Sequence, residues 1–250
     1  MPGLDARPVL IAGGGIGGLA AALGLAQKGI GSVLLEKAAV LGEIGAGIQL
    51  GPNAFHAFDY LGVGEAARGM AVYIDQLRLM DALTAEEITH VDLRDAFRAR
   101  FGNPYAVVHR GDLHGVFLKA CQAHELIELR VNSEVIGYDQ DGSSVTARLA
   151  SGERVTGALL IGADGLWSNI RKQVAADGPP RVSGHTTYRS VIPTEEMPED
   201  LRWNAATLWA GPKCHIVHYP LSAGKCSTSS SPITTTRRSR WRASRSPTRR

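Results

Sequence analysis

A glycine-rich turn near the N-terminus constrains this chain more than any other feature. Val9–Ala12 form a short apolar run, Gly13, Gly15 and Gly18 follow in G-x-G-x-x-G spacing, and a second apolar run ends at Glu36. This order predicts a strand, a tight turn, a helix and a second strand. Glycines let the turn approach a pyrophosphate closely, and the helix N-terminus offers free N–H groups to the anion. The Glu36 carboxylate is placed to accept hydrogen bonds from a ribose that carries no 2′-phosphate.

The composition is that of an ordinary folded enzyme. Of the 250 residues, 44% are hydrophobic and 20% are charged, which suits one large or two small domains. The cysteines Cys121, Cys214 and Cys226 have neither paired nor C-x-x-C spacing, so neither a disulfide framework nor a zinc site is indicated. The sequence shows no signal-peptide pattern and no apolar run of about 18 residues. We therefore expect a cytoplasmic protein without a membrane partner.

The segment after Lys225 differs in character from the rest of the chain. It holds seven of the 27 basic residues and no acidic one, so residues 1–225 have 20 basic against 24 acidic residues, a formal charge of −4. Its Ser, Thr and Arg content predicts a disordered tail. A natural tail of this kind would bind nucleic acid or an anionic membrane through its positive charge.

A second interpretation of the tail is a frameshift. Restoring one G after the Lys225 codon permits VFNLVVTYHNDAPEPVAGKPVSDEE, which reads as an alternating strand and an acidic loop. We favour this interpretation, and with it a chain that is incomplete at the C-terminus and has no nucleic-acid partner.

Residues 41–93 predict a connector, a helix and two strands. Gly42, Gly45, Gly47 and Gly51 lie in a loop before an amphipathic helix, and such a loop lets backbone lie against a flat ligand, although a plain connector is the alternative. Loose alternation over Tyr73–Leu93 predicts two strands around the turn at 81–87.

Arg110 lies at a predicted strand-to-helix junction. Its guanidinium could bind an anion or the ring edges of a cofactor there, and a surface ion pair with Asp112 is the alternative. The runs 127–131, 134–139 and 145–149 follow, and they predict a β-meander.

The stretch ALLIGADGLWSNIR, residues 158–171, predicts a buried strand, a turn and a helix. Asp164 and Gly165 then lie at a strand end, where cofactor hydroxyls are held in such folds. Capping of the following helix is the alternative role for Asp164, and the two roles are compatible.

Four segments together resemble one family. GGGIGG with Glu36, GAGIQLGPNA, HRGDL and IGADGLWSNIR are similar, in order and separation, to the single-component flavoprotein aromatic hydroxylases, nearest the 3-hydroxybenzoate 6-hydroxylase and salicylate hydroxylase group. The resemblance implies an α/β fold in which an FAD-binding Rossmann-like βαβ domain is interleaved with a β-sheet substrate domain, incomplete at the C-terminus. The expected limits are 1–72 and 106–180 for the first domain, 73–105 and 181–225 for the second, and 226–250 for the tail.

The resemblance also implies a chemistry. It is that of an FAD-dependent monooxygenase that uses NADH or NADPH and O2 to hydroxylate a small aromatic substrate, a phenolic carboxylate. Gly13, Gly15, Gly18 and Glu36 would hold the ADP half of FAD. Arg110 would contact the flavin, while Asp164, with Gly165 beside it, would lie near the ribitol and pyrophosphate.

The candidate catalytic residues are His215 and Tyr219. Alternation over 214–219 puts them on one strand face, and the pair resembles the residues that line the substrate pocket of the 3-hydroxybenzoate 6-hydroxylase group. A base that draws the phenolic proton favours hydroxylation, since phenolate is the better nucleophile. A structural histidine is the alternative.

One departure from the family affects the expected activity. The family's second Gly-Asp motif, its proline-bearing loop and its flavin-directed helix have no match in this sequence. We therefore expect this chain to be impaired or inactive. The alternatives are a noncatalytic remnant that binds FAD or ADP, and an NAD-dependent dehydrogenase.

Overall fold

The computed structural model describes residues 7–42 and 47–221, together with the backbone of Cys226–Thr234. The strands are β1 (Val9–Ala12), β2 (Ser32–Leu35), β3 (Gly47–Leu50), β4 (Val72–Tyr73), β5 (Gln76–Asp81), β6 (Glu87–Asp92), β7 (Ala106–His109), β8 (Ile127–Arg130), β9 (Val135–Gln140), β10 (Val145–Leu149), β11 (Arg154–Gly157), β12 (Leu159–Gly162), β13 (His185–Pro193), β14 (Ala205–Gly211), β15 (Cys214–Leu221) and β16 (Cys226–Thr234). The helices are α1 (Ile16–Ala26), α2 (Pro52–Tyr60), α3 (Gly64–Met70), α4 (Asp95–Phe101), α5 (Arg110–Gln122) and α6 (Asn169–Ala175).

A four-stranded parallel sheet in the order β12-β1-β2-β8 contains the predicted βαβ unit. Strands β1 and β2 are buried throughout, as expected for central strands that are covered on both faces. Ile11 and Leu34 pack against α1, α2 and α5, whereas Leu10 and Val33 pack against the β9–β11 meander and α6. The carboxyl ends of β1, β2 and β12 therefore lie together at one edge of the sheet.

Two predictions for this region are wrong in part. Strand β8 was expected in the meander, but it pairs in parallel with β2, and the meander consists of β9, β10 and β11. Local alternation identifies a strand without identifying its partner, which here lies about a hundred residues earlier in the chain. Strand β12 was expected to be buried, but it forms an edge of the parallel sheet, and Leu159 is 54% exposed.

A second region contains two more sheets. Strands β3, β7 and β4 form a small antiparallel sheet, and β5 and β6 form the predicted hairpin within a six-stranded sheet ordered β13-β16-β15-β14-β5-β6. Val107 of β7 packs against Tyr219 and Leu221 of β15, with Ile74 and Leu93 beside them. This cluster fixes the six-stranded sheet against the part of the chain that carries the glycine turn.

The expected disorder from residue 226 onwards is wrong for Cys226–Thr234, which form β16 between β13 and β15. Pairing partners on both sides impose an extended backbone on a segment whose composition does not favour a strand. The β15–β16 ladder is interrupted opposite His215 and Ile216, where Pro232 lies. Proline has no N–H to donate and is rarely found in a central strand. Residues 235–250 lie outside the described part of the chain.

The mixed α/β fold class is confirmed by these sheets. The domain limits at 72, 105 and 180 stay a prediction. Gly45, one of the loop glycines, lies outside the described residues. Within the described ranges, no helix combines the length and apolar character that a membrane crossing requires.

Candidate functional site

A cavity of about 430 Å³ lies at the carboxyl ends of β1, β2 and β12. Five residues that the sequence assigned to the cofactor line it together, namely Gly13, Gly15, Glu36, Asp164 and Gly165. The cavity is also lined by Ala12, Leu35, Lys37, Glu134, Val135, Ala163, Trp167, Asn169 and Lys172. The structure thus brings together residues that are more than a hundred positions apart in the chain.

Glycine is required at two positions under this cavity. Gly13 has φ +108°, and a Cβ there would overlap the carbonyl oxygen of Ala163. Gly18 does not line the cavity, but it lies directly beneath, where a Cβ would overlap the carbonyl oxygen of Gly13. Gly18 therefore permits the close contact between α1 and the β1 turn that the G-x-G-x-x-G spacing predicts, and Gly13 permits the close approach of that turn to the chain after β12.

The N-terminus of α1 suits an anion. Gly15 is the N-cap, no side chain caps the helix, and its first turn has no acidic residue. The first N–H groups of a helix have no intrahelical acceptor, and they carry partial positive charge. Lys37 and Lys172 also line the cavity, and they offset part of the negative charge of Glu36, Glu134 and Asp164. This donor set fits a pyrophosphate.

Glu36 is held by the backbone around it. Its Oε2 accepts a hydrogen bond from Gly14 N at 2.6 Å, and its Oε1 accepts one from Ala38 N at 2.8 Å. The carboxylate follows β2 and lines the cavity, as predicted. Its fixed orientation leaves lone pairs for ribose hydroxyls, since each carboxylate oxygen can accept more than one hydrogen bond.

Asp164 has the predicted capping role and also lines the cavity, while its contact with a cofactor stays a prediction. Its Oδ2 accepts hydrogen bonds from Asn169 N at 2.7 Å and Ile170 N at 3.2 Å, and its Oδ1 accepts one from the Ser168 hydroxyl. The carboxylate thereby stabilises the start of α6 while it lines the cavity. These bonds hold the Gly165 turn in position.

Arg110 lies where the sequence predicted, as the first residue of α5 after β7, but it does not line the cavity. Asp112, its proposed partner, forms an ion pair with His109 at 3.5 Å. A contact between Arg110 and the flavin stays a prediction.

Sequence reasoning missed several lining residues, among them Lys37, Trp167 and Lys172. Their positions gave a usable signal, because Lys37 directly follows Glu36, and Trp167 and Lys172 belong to the turn and helix after Asp164. It also missed His114, which has no such signal, because its contact is to Gly14, a hundred residues earlier.

His215 and Tyr219 lie on one face of β15, with Val217 between them, as the alternation predicts. Roughly 13 Å of extended strand separates them. His215 is exposed, whereas Tyr219 is 7% exposed and packs against Gly47. Burial raises the pKa of the Tyr219 hydroxyl, with opposing influence from Arg189, so the phenol stays protonated near neutral pH.

The opposite face of the sheet carries a buried histidine. The His218 ring stacks on Trp209 and lies 6.2 Å from the ring of Trp203, and the Arg78 guanidinium lies 3.8 Å over Trp203. His218 is 7% exposed, and its Nε2 has no hydrogen-bond partner within the described part of the chain. Burial, and then the charge of Arg78, lower the pKa of His218.

This lowered pKa gives a pH-dependent stability. The folded chain binds a proton at His218 less readily than the unfolded chain, so the stability falls as the pH drops below the unfolded value of about 6.5. A His218→Phe variant keeps an aromatic ring without a titrating group. We expect its free energy of unfolding, measured in urea from pH 7.5 to 5, to fall less steeply than that of the parent chain. All other residues are shared by the two chains and their contributions cancel in the difference, so identical slopes would contradict this account of His218.

The family model for the FAD binding domain matches residues 6–231. Because this match spans most of the chain, the chain belongs to this family of FAD-binding proteins, and the predicted cofactor, FAD, is confirmed at the level of the family.

The matched relatives include two aromatic hydroxylases. The chain is 60% identical over 217 residues to 3-hydroxybenzoate 6-hydroxylase 1 of Aquipseudomonas alcaligenes, a match that covers 87% of this chain and 55% of the relative. It is 51% identical over 218 residues to the 3-hydroxybenzoate 6-hydroxylase of Polaromonas naphthalenivorans, covering 87% and 54%. The predicted resemblance is thereby confirmed. The chain spans about half the length of the curated relatives it matches.

Solved structures share the fold. A variant of Klebsiella pneumoniae HpxO complexed with FAD has a TM-score of 0.78 at 26% identity, and the match covers 90% of this chain and 57% of that one. A salicylate hydroxylase substrate complex has a TM-score of 0.75 at 22% identity, covering 96% and 59%.

Proposed function

We propose that this chain holds FAD in the cavity at the ends of β1, β2 and β12, and that it belongs to a monooxygenase which hydroxylates a phenolic carboxylate. A substrate like 3-hydroxybenzoate or salicylate is expected, with NADH or NADPH and O2 as co-substrates. The observation that carries the proposal is the 60% identity to 3-hydroxybenzoate 6-hydroxylase 1 over 217 residues. The cavity supports it, because its residues supply an anion site and a ribose site in one space.

Each part of the cavity has a role toward FAD. The N–H groups at the start of α1 hold the pyrophosphate, and Gly13 and Gly15 allow its close approach. Glu36 binds the adenosine ribose, while Asp164 and Gly165 contact the ribitol and pyrophosphate side. When bound, the flavin supplies the oxygen-transfer chemistry.

The face of β15 that carries His215 holds the substrate. A small ring over Val217 reaches His215 on one side and Tyr219 on the other, since all three residues share that face. An imidazole nitrogen of His215 accepts the phenolic proton, which raises the electron density of the ring. Tyr219, kept protonated by burial, donates a hydrogen bond to an anionic oxygen of the substrate.

The proposal is tested by cofactor binding and by product. The purified chain, titrated with FAD, is expected to quench flavin fluorescence, and ADP is expected to compete. If hydroxylation occurs, 3-hydroxybenzoate gives 2,5-dihydroxybenzoate on hydroxylation at ring position 6, and chromatography identifies it. A chain that binds neither FAD nor ADP would contradict the proposal.

We expect His215→Ala to slow hydroxylation by roughly 10²-fold in any form that turns over, with unchanged flavin content, because it removes the group that takes the phenolic proton. His90→Ala is the matched control. His90 is exposed, and it pairs across the strands with Arg78, on the face of the sheet opposite to His215. Equal rates in both variants would return His215 to a structural role.

A noncatalytic FAD- or ADP-binding protein is the second candidate. The interruption of the β15–β16 ladder favours it, because the break lies opposite His215 and removes backbone support from the candidate base. In that case the chain binds FAD and forms no hydroxylated product. The match to the FAD binding domain over residues 6–231 argues against an NAD-dependent dehydrogenase.

A further inference from the structure

The backbone at Gly14 is held from both of its ends. Gly14 N donates to Glu36 Oε2 at 2.6 Å, and Gly14 O accepts from Nε2 of His114 at 2.8 Å. Gly14 itself is buried and lies between Gly13 and Gly15, which both line the FAD cavity. Two side chains from different elements therefore fix the middle of the glycine turn.

The contact at His114 is not accounted for by the motif. His114 lies in the second turn of α5, is 2% exposed, and reaches across a separation of a hundred residues. A carbonyl oxygen only accepts hydrogen bonds, so Nε2 of His114 must carry the proton. The ring is thus fixed as a donor to the turn.

The orientation of one peptide plane follows from this bond. The carbonyl of Gly14 and the N–H of Gly15 belong to the same peptide, and in a trans peptide these two groups point in opposite directions. With the carbonyl directed at His114, the Gly15 N–H faces away from α5. Gly15 is the N-cap of α1 and lines the cavity.

We propose that His114 is a positioning residue for the cofactor: by binding the Gly14 carbonyl, it sets the peptide whose Gly15 N–H meets the pyrophosphate. This inference rests on the proposed FAD function, and it adds a buried donor on α5 to the phosphate site. Without the donor, the peptide is free to rotate, and the loss is confined to ligands that carry the diphosphate. A histidine that only fills the core would affect the stability of the fold without such selectivity.

The experiment compares His114→Met with His114→Gln in the full 250-residue chain. The two side chains have similar length and volume, but only glutamine carries an N–H donor near the position of Nε2. Affinities for FAD, ADP and adenosine are measured by titration, with the unfolding temperature of each protein recorded without ligand. We expect His114→Met to weaken FAD and ADP binding by about tenfold, the effect of one lost hydrogen bond, and to leave adenosine binding within about twofold. His114→Gln is expected to recover most of the ADP affinity.

The outcomes separate the two claims. If the parent chain binds neither FAD nor ADP, the proposed function is refuted, and the positioning role of His114 is refuted with it. If the parent chain binds both ligands, but His114→Met weakens the binding of adenosine as much as the binding of ADP, the positioning role alone is overturned. The positioning role would also be overturned if His114→Gln did not recover the ADP affinity, or if both variants unfolded. Either result would assign His114 to folding.

Discussion

Replacing Gly18 with alanine is expected to abolish FAD retention and to destabilise the fold by about 3 kcal/mol. The added Cβ would overlap the carbonyl oxygen of Gly13, a backbone atom that cannot rotate away as a side chain could. Either α1 moves off the parallel sheet or the turn above it distorts. Both responses disrupt the pyrophosphate site, which is built from that turn and the first N–H groups of α1.

The matched control is Gly17→Ala, one residue earlier on the same helix. A Cβ at Gly17 would have no described atom within 4 Å, and the residue is exposed. Alanine should stabilise the helix there by about 0.5–1 kcal/mol, because glycine loses more backbone entropy on folding. Flavin content and urea unfolding are measured for both variants. A Gly18→Ala protein that keeps its flavin and its stability would contradict the assigned packing of α1.

The sequence predicted those parts of the site that depend on short-range backbone chemistry. The glycine turn and the acid at the end of β2 belong to one βαβ unit, and the Asp164 turn belongs to one strand–turn–helix unit, so spacing alone defines their geometry. The strand face that carries His215 and Tyr219 was predictable for the same reason, since side chains alternate along any strand.

The missed features depend on tertiary contacts. The pairing of β8 with β2 and the bond from His114 to Gly14 join distant segments, and no local pattern specifies them. The ring contact of His218 with Trp203 likewise requires the 194–204 segment to fold over the sheet. The strand at 226–234 was missed because its neighbours, rather than its own composition, determine its conformation.

The register of β16 leads to the second prediction. His218 pairs with Ser229, and Cys214 pairs with Ile233, so positions 227, 229, 231 and 233 lie on the face of the sheet that carries His218 and Trp209. In the shifted frame VFNLVVTYH these four positions become Phe, Leu, Val and Tyr, while the face that carries His215 receives mostly smaller or polar residues. The alternation of that frame therefore matches the two faces of the sheet. The same frame places Thr, which has an N–H, at position 232.

A variant with five substitutions is expected to have a free energy of unfolding higher by roughly 3–5 kcal/mol. The substitutions are Ser227→Phe, Ser229→Leu, Ser231→Val, Ile233→Tyr and Pro232→Thr. Complete burial of a large apolar side chain contributes about 1.5–3 kcal/mol, and a position on an open sheet face gains a part of that. Pro232→Thr alone should contribute about 1 kcal/mol, because it restores a ladder donor opposite His215. Urea unfolding followed by circular dichroism measures the gain. The control variant, Thr228→Phe with Ser230→Leu, places large apolar residues on the His215 face, opposite Tyr219 and Val217. It should gain much less, since Tyr219 is already buried there and added volume beside it strains the packing. An equal gain from both variants would show that hydrophobicity alone, without regard to the register, stabilises β16, and it would remove the structural support for the shifted frame.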